Sequence, residues 1–345
     1  MPRTGLVFHP AALKHICGHP DHPEQPRRIE AIRAHLERTG LAARLDEHAP
    51  LPADRSLIEL AHDHGLLDLL ERMDADGGGQ IDLDTGMGPG SLEATLRGSQ
   101  GGVDAADRVL RGEWSSALVC MRPPGHHATT RQPMGFCLTN HVAVAARWAV
   151  RQAGVERVAV IDWDAHHGNG TQDIFWSDPT VLYVSLHQFP WYPGTGDATE
   201  RGEGDGFGCT VNVPLPAGAA EDAYEQAFDE VIEPAVRTFD PGLVLVSAGF
   251  DAHYLDPLCM MRLGAGAFFR FTQRAARWGP GPVCVLEGGY DFEALAWSAA
   301  ATVSALLGEA QAIGIPEEEV APMSGSPEAV RWVERAAWMQ RAADR

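Results

Sequence analysis

The chain has 345 residues, 45% of them apolar and 21% charged, a balance that suits a globular protein with a large core. Its 47 acidic and 27 basic residues give a formal net charge of −20, a field that disfavours nucleic acid as a partner and attracts cationic ligands. No apolar run approaches the roughly 18 residues that span a bilayer, and residues 1–10 lack a basic-then-apolar signal pattern, so a cytoplasmic protein with no membrane partner is expected.

In chain order, helical periodicity marks 92–111, a β-branched run marks a buried strand at 116–120, and helix returns at 141–153. Strands follow at 157–162 and 181–185, a helix at 220–239, a strand at 243–248 and a helix at 264–278. A strand at 283–286, a helix at 292–307 and an amphipathic terminal helix at 327–341 complete the pattern. The alternation predicts an α/β protein with an open parallel sheet and helices on both faces. The loop-like stretches at 74–79 and 194–208 are too short to divide it, so one domain over 1–345 is expected, with a core over about 4–310 and a helical extension over about 315–345. The six cysteines, at 17, 120, 137, 209, 259 and 284, form no C-x-x-C pair and read as mostly buried free thiols.

Open parallel sheets place ligand sites beyond the carboxyl ends of their strands. Here five strand ends carry His, Asp, Glu or Tyr, most of them beside glycine. They are Pro123-Pro124-Gly125-His126-His127, Asp162 to Gly170, Leu186-His187, Gly249 to Pro257, and Glu287-Gly288-Gly289-Tyr290.

In Asp162-x-Asp164-x-His166, residues two apart in extended chain project to one side. Two carboxylates and an imidazole held together without a cation are costly, and a divalent metal relieves that cost. Histidine with carboxylates suits zinc, with iron(II), cobalt and manganese as alternatives. A catalytic zinc usually has three protein ligands, and spacing leaves the third open among Asp251, His253 and Asp256. His126 and His127, held behind a stiff Pro-Pro-Gly approach, suit a proton relay, with Asp162 and Asn169 available to fix their second nitrogens. Tyr290 could donate to a developing oxyanion or simply pack.

These motifs resemble the histone deacetylase family, which includes bacterial acetylpolyamine amidohydrolases and deacetylase-like amidohydrolases. The matching stretches, 122–128, 135–137, 161–171, 185–187, 193–197, 211–214, 247–257 and 287–290, occur in the family's order and span most of 9–305. The wording of 162–171, with Asn169, and of 249–258 is similar to the class II branch. The resemblance implies an arginase-like fold with an eight-stranded parallel sheet and one zinc held by Asp164, His166 and Asp256. It implies His127 as general base and acid, His126 as its electrostatic partner, Asp162 and Asn169 as their orienting groups, and Tyr290 as oxyanion donor. It also implies structural potassium or sodium, one ion at Asp162, Asp164, Ser185 and the carbonyls of His166 and Leu186, another at Phe175, Asp178 and Val181. Gly135, Phe136 and Tyr192 would wall the acyl-lysine tunnel, and Arg28, in a stretch similar to the family's N-terminal signature, would line an inner acetate channel.

The expected reaction is hydrolysis of an acyl-lysine or similar acyl-amine, peptide or small molecule, releasing acetate. Polyamine deacetylation is the alternative. In the family a glutamate seven residues after the zinc-binding aspartate marks it, and Leu263 stands there instead. A two-manganese ureohydrolase would need further bridging carboxylates in place of His126, His127 and Tyr290, and a non-enzymatic acyl-lysine-binding module would not need the full set of ligands, base and donor. A homo-oligomer is compatible with the sequence. The loops at 13–24 and 74–89 are expected to shape the entrance.

Overall fold

The computed structural model describes residues 3–19 and 21–343. In chain order its elements are β1 (Arg3–Val7), α1 (Arg27–Arg38), β2 (Asp46–His48), α2 (Arg55–Ile58), α3 (His64–Ala75), β3 (Gly79–Gln80), β4 (Gly86–Met87) and α4 (Ser91–Leu110). Then come β5 (Trp114–Val119), α5 (His141–Arg151), β6 (Val158–Asp162), α6 (Asn169–Phe175), β7 (Val181–Gln188), β8 (Thr210–Leu215), α7 (Glu221–Ala227) and α8 (Glu233–Phe239). The series closes with β9 (Leu243–Ala248), α9 (Ala265–Ala275), β10 (Val283–Leu286), α10 (Phe292–Leu306) and α11 (Pro327–Ala343).

Eight strands form one sheet in the order β2-β1-β5-β10-β9-β6-β7-β8, and every neighbouring pair is parallel. Every residue of β6, β7, β9 and β10 is buried, so helices cover both faces of the central sheet. β3 and β4 make a separate antiparallel hairpin.

The five strands expected from β-branched runs all form, and the missed ones explain themselves physically. β2 and β8 are the sheet edges, where a strand need not look apolar. β2 reads Asp-Glu-His, and β8 carries Asn212 and Pro214, tolerated because an edge strand has one unpaired side. β1 contains Gly5, where a Cβ would run into the indole of Trp114 on neighbouring β5. The helix expected at 220–239 is helical throughout but carries a π turn at Phe228–Ile232 between α7 and α8.

Side-chain caps start the helices that frame the site. Asn140 accepts from the Ala143 N–H at the head of α5, and Asp291 accepts from the Glu293 and Ala294 N–H groups at the head of α10. All six cysteines are free thiols, five of them buried, as expected. Among the described residues no helix is long and apolar enough to cross a membrane.

Candidate active site

Because β5, β6, β7, β9 and β10 are parallel neighbours, their carboxyl ends lie along one edge of the sheet. The loop leaving β5 is clamped there by Glu287. Its Oε2 accepts from the N–H groups of Gly125 at 2.6 Å and His126 at 3.0 Å, and its Oε1 accepts from the Ser247 hydroxyl at 3.2 Å. Burial pushes the Glu287 carboxyl up to about 7.

The two adjacent histidines have different surroundings. His126 Nδ1 lies 3.0 Å from Asp162 Oδ2, which also accepts from the Tyr183 hydroxyl at 3.0 Å. Burial opposes charge on His126, but Asp164, Asp162 and Glu287 outweigh it and raise its pKa to about 10. His127 Nδ1 lies 2.8 Å from Asn169 Oδ1, a neutral partner. Burial, with His126 and His166 nearby, holds His127 well below the usual imidazole range. The rings are 4.0 Å apart, so the pair holds its proton on His126.

Beyond β6, Asp164 Oδ1 lies 3.2 Å from His166 Nδ1 and accepts from the His166 N–H at 2.9 Å. Asp164 Oδ2 accepts from the Gly288 N–H at 2.8 Å. Asp251 joins this group, its Oδ2 2.8 Å from His166 Nδ1 and its Oδ1 accepting from the Ala165 N–H. His166, Asp251 and Cys259 each offer a ligand atom within 4.8 Å of the others. Burial pushes the Cys259 thiol up to about 12, so it stands as a neutral neighbour of the imidazole. Asp256 accepts from the Leu258 N–H at 2.9 Å and the Tyr290 N–H at 2.7 Å, and burial followed by Asp251 raises its carboxyl to about 7. Asp162, Asp164, Asp251 and Asp256 are all buried, and among the described residues the ion pairs of Asp162, Asp164 and Asp251 are with imidazoles rather than with lysine or arginine. Such crowded, buried oxygen donors beside an imidazole fit a divalent cation.

A cavity of about 240 Å³ opens onto this group. Asp84, His127, Gly135, Phe136, His166, Trp191, Tyr192, Leu258 and Tyr290 line it. Gly135 has φ +56°, and a Cβ there would run into the His127 ring. Phe136 has φ 69°, strained for a bulky residue, and its ring stands edge-on to Tyr290 at 5.8 Å and to His22 at 4.6 Å. Burial raises the Tyr290 phenol well above its usual range, so it is a neutral donor. A second cavity of about 240 Å³ lies where residues of α8 face residues of α11, and it holds no imidazole or aspartate.

The structure brings together the expected His126, His127, Asp162, Asp164, His166, Asn169 and Tyr290, and places Gly135, Phe136 and Tyr192 on the cavity wall. His253, one of the three candidate third ligands, is committed elsewhere: its Nε2 meets Glu319 and its Nδ1 the Leu255 N–H. Leu263, which the resemblance puts at the substrate tunnel, is fully buried and is not among the residues that line the cavity, its N–H donating to the Ala252 carbonyl and its carbonyl accepting from the Tyr254 N–H. Arg28, expected at an inner channel, is fully buried beside Tyr290, with its guanidinium 4.9 Å from the ring centroid. It donates to the carbonyls of Gly289 and Glu287 and to Glu24. Of the expected cation residues, Asp162 and Ser185 are register partners on β6 and β7, and the Ser185 hydroxyl meets His187 Nδ1 at 2.9 Å. The Asp178 carboxylate is taken by Arg147 and Thr180. Sequence reasoning missed the wall residues Asp84, Trp191 and Leu258 and the clamp role of Glu287. Asp84 and His22 lie in the two loops expected at the entrance, and Glu287 lies on a recognised strand end.

Comparison with known proteins agrees with this geometry. The histone deacetylase domain matches residues 22–306. The chain is 39% identical to a probable deacetylase of Archaeoglobus fulgidus over 91% of this chain and 89% of that one. It is 39% identical to a histone deacetylase-like amidohydrolase of Pseudomonas aeruginosa over 92% of this chain and 83% of that one. The crystal structure of the HDA15 HD domain superposes with a TM-score of 0.90 at 33% identity, over 99% of this chain and 95% of that one, in keeping with an arginase/deacetylase fold.

Proposed function

Since the chain belongs to the histone deacetylase family, and is thereby a hydrolase of deacetylase type, we propose that it is a zinc-dependent deacetylase that removes acetyl groups from the amine of acyl-lysine or a similar amide. The observation that carries this reading is the convergence of His127, His166 and Tyr290 on one cavity walled by Phe136 and Tyr192. Asp164, His166 and Asp256 would hold the zinc, with Asp251 beside them as a partner of the His166 imidazole. Bound zinc would polarise an amide carbonyl and lower the pKa of water.

The chain's own groups supply the rest. With Nδ1–H donating to Asn169, the His127 ring keeps Nε2 free as a proton acceptor for the attacking water. The depressed pKa of His127 keeps that nitrogen unprotonated near neutrality. His126, charged between Asp162 and Asp164, supplies positive potential beside it. The Tyr290 hydroxyl donates to the oxyanion as the carbonyl becomes tetrahedral. His127 then returns its proton to the departing amine. The faces of Phe136 and Tyr192 suit an alkyl chain, and Asp84 at the same cavity offers an acceptor to a cationic or N–H-bearing substrate.

We also propose a structural potassium or sodium ion at Asp162, Asp164, Ser185 and the carbonyls of His166 and Leu186, and a second near Phe175, Asp178 and Val181. A peptide or small acyl-amine, rather than nucleic acid or membrane, is the proposed partner, supported by the net charge of −20. Asp84 on the cavity wall suits a cationic amine, so acetylpolyamine hydrolysis stands as the second reading. Acetate release from acetyl-lysine peptides against acetylputrescine and acetylspermidine tests both. A preference for the peptides supports the first, a preference for the polyamines the second, and no release from either overturns both.

A further inference from the structure

The loop between β9 and α9 carries Asp251 and Asp256, and its shape is held from outside. The His253 ring is fully buried. Its Nδ1 accepts from the Leu255 N–H at 3.2 Å, and its carbonyl accepts from the Asp256 N–H at 2.9 Å. With Nδ1 an acceptor, Nε2 carries the proton and donates to Glu319 Oε2 at 2.9 Å. The same oxygen accepts from the N–H of Ala265, the first residue of α9, at 2.9 Å. The other oxygen accepts from the Tyr254 hydroxyl at 2.9 Å, and the Tyr254 ring stacks on His253. One carboxylate therefore gathers donors from both ends of the loop.

Glu319 is the last of three consecutive glutamates. Glu317 and Glu318 are exposed, as suits an acidic surface, but Glu319 is only 1% exposed. Burying a carboxylate is costly unless its lone pairs are satisfied, and here they are. The turn at Glu317–Glu319 is docked on α9, where Arg270 donates to the Val320 carbonyl at 3.1 Å. It lies beyond residue 306, where the match to the histone deacetylase domain ends.

We propose that Glu319 is a positioning residue for Asp256: by fixing the His253 ring it holds the 253–256 turn, and so sets how tightly the site binds its divalent metal. This rests on the metal reading under Proposed function. Glu319 touches no part of the cavity and acts only through His253.

The test uses the full chain and zinc alone. Zinc affinity is measured by competition with a chromophoric chelator for the wild type, Glu319→Gln, His253→Ala and the double variant. Amide hydrogen exchange over 251–258 is followed in the zinc-free proteins. Glu319→Gln is expected to weaken zinc binding about tenfold or more, the range for groups that orient ligands, and to speed exchange in the loop. The double variant is expected to bind zinc no more weakly than His253→Ala, because the two act in series. Zinc affinity within about twofold of wild type in Glu319→Gln, or effects of the two substitutions that multiply, would overturn the inference. If Glu319→Gln does not fold, His253→Gln carries the same comparison. A wild-type chain that takes up no zinc overturns the metal reading itself, whereas normal uptake with unchanged variants overturns this inference alone.

Discussion

His127 Nδ1 lies 2.8 Å from the amide oxygen of Asn169, so its orienting partner is neutral, while its neighbour His126 faces a carboxylate. In the proposed mechanism that asymmetry makes His127 the base. Replacing Asn169 with Asp places a negative charge beside His127 Nδ1 and favours the charged form of the imidazole. The unprotonated ring is the working form of a base, so the acid limb of the kcat/KM profile moves to higher pH, by about one unit or more. Acetate release followed against pH for wild type and Asn169→Asp checks this, and an unmoved acid limb would contradict the role given to His127.

Tyr290 lines the cavity as a neutral phenol beside Phe136. Tyr290→Phe keeps the ring and removes the donor. The expected result is a loss of about 10²–10³ in kcat with KM little changed, since the hydrogen bond strengthens only as the oxyanion forms. Steady-state kinetics on an acetyl-lysine peptide read it directly, and near-wild-type kcat would remove Tyr290 from the mechanism.

Away from the metal group, His62 is buried with both nitrogens used: Nδ1 donates to the Thr129 carbonyl at 2.9 Å and Nε2 accepts from the Asn140 N–H at 2.8 Å. Burial lowers its pKa from 6.5 to about 4. Between those values the unfolded chain takes up a proton that the folded chain refuses, so stability is full above pH 6.5 and falls as pH drops toward 4. The shift corresponds to about 3 kcal/mol at most for this one group. His62→Gln should lower Tm at pH 7 and show a smaller further loss of Tm between pH 7 and pH 5 than wild type. Equal losses in the two proteins would assign acid sensitivity to other groups.

The sheet and the chemistry of its edge were legible because both depend on local pattern. Buried β-branched runs named β5, β6, β7, β9 and β10, and spacing of two at and just beyond the end of β6 named Asp164 and His166 together. Edge strands β2 and β8 were not legible, since one-sided pairing relaxes the apolar requirement. Spacing could not choose among Asp251, His253 and Asp256. The structure removes His253, whose nitrogens face Glu319 and Leu255 across contacts between distant segments. The buried Arg122–Glu24 pair beneath the site spans 98 positions, and no periodicity encodes such a meeting.

The account turns on the zinc proposed at Asp164, His166 and Asp256, in a group of buried carboxylates beside a buried imidazole. The most direct measurement is acetate release from an acetyl-lysine peptide by the chelated chain as zinc is added back. The account predicts no release from the zinc-free protein and a rise that levels off at one zinc per chain, absent in Asp164→Ala and in Asp256→Ala. Undiminished release after complete chelation, or no release at any zinc content, would contradict it.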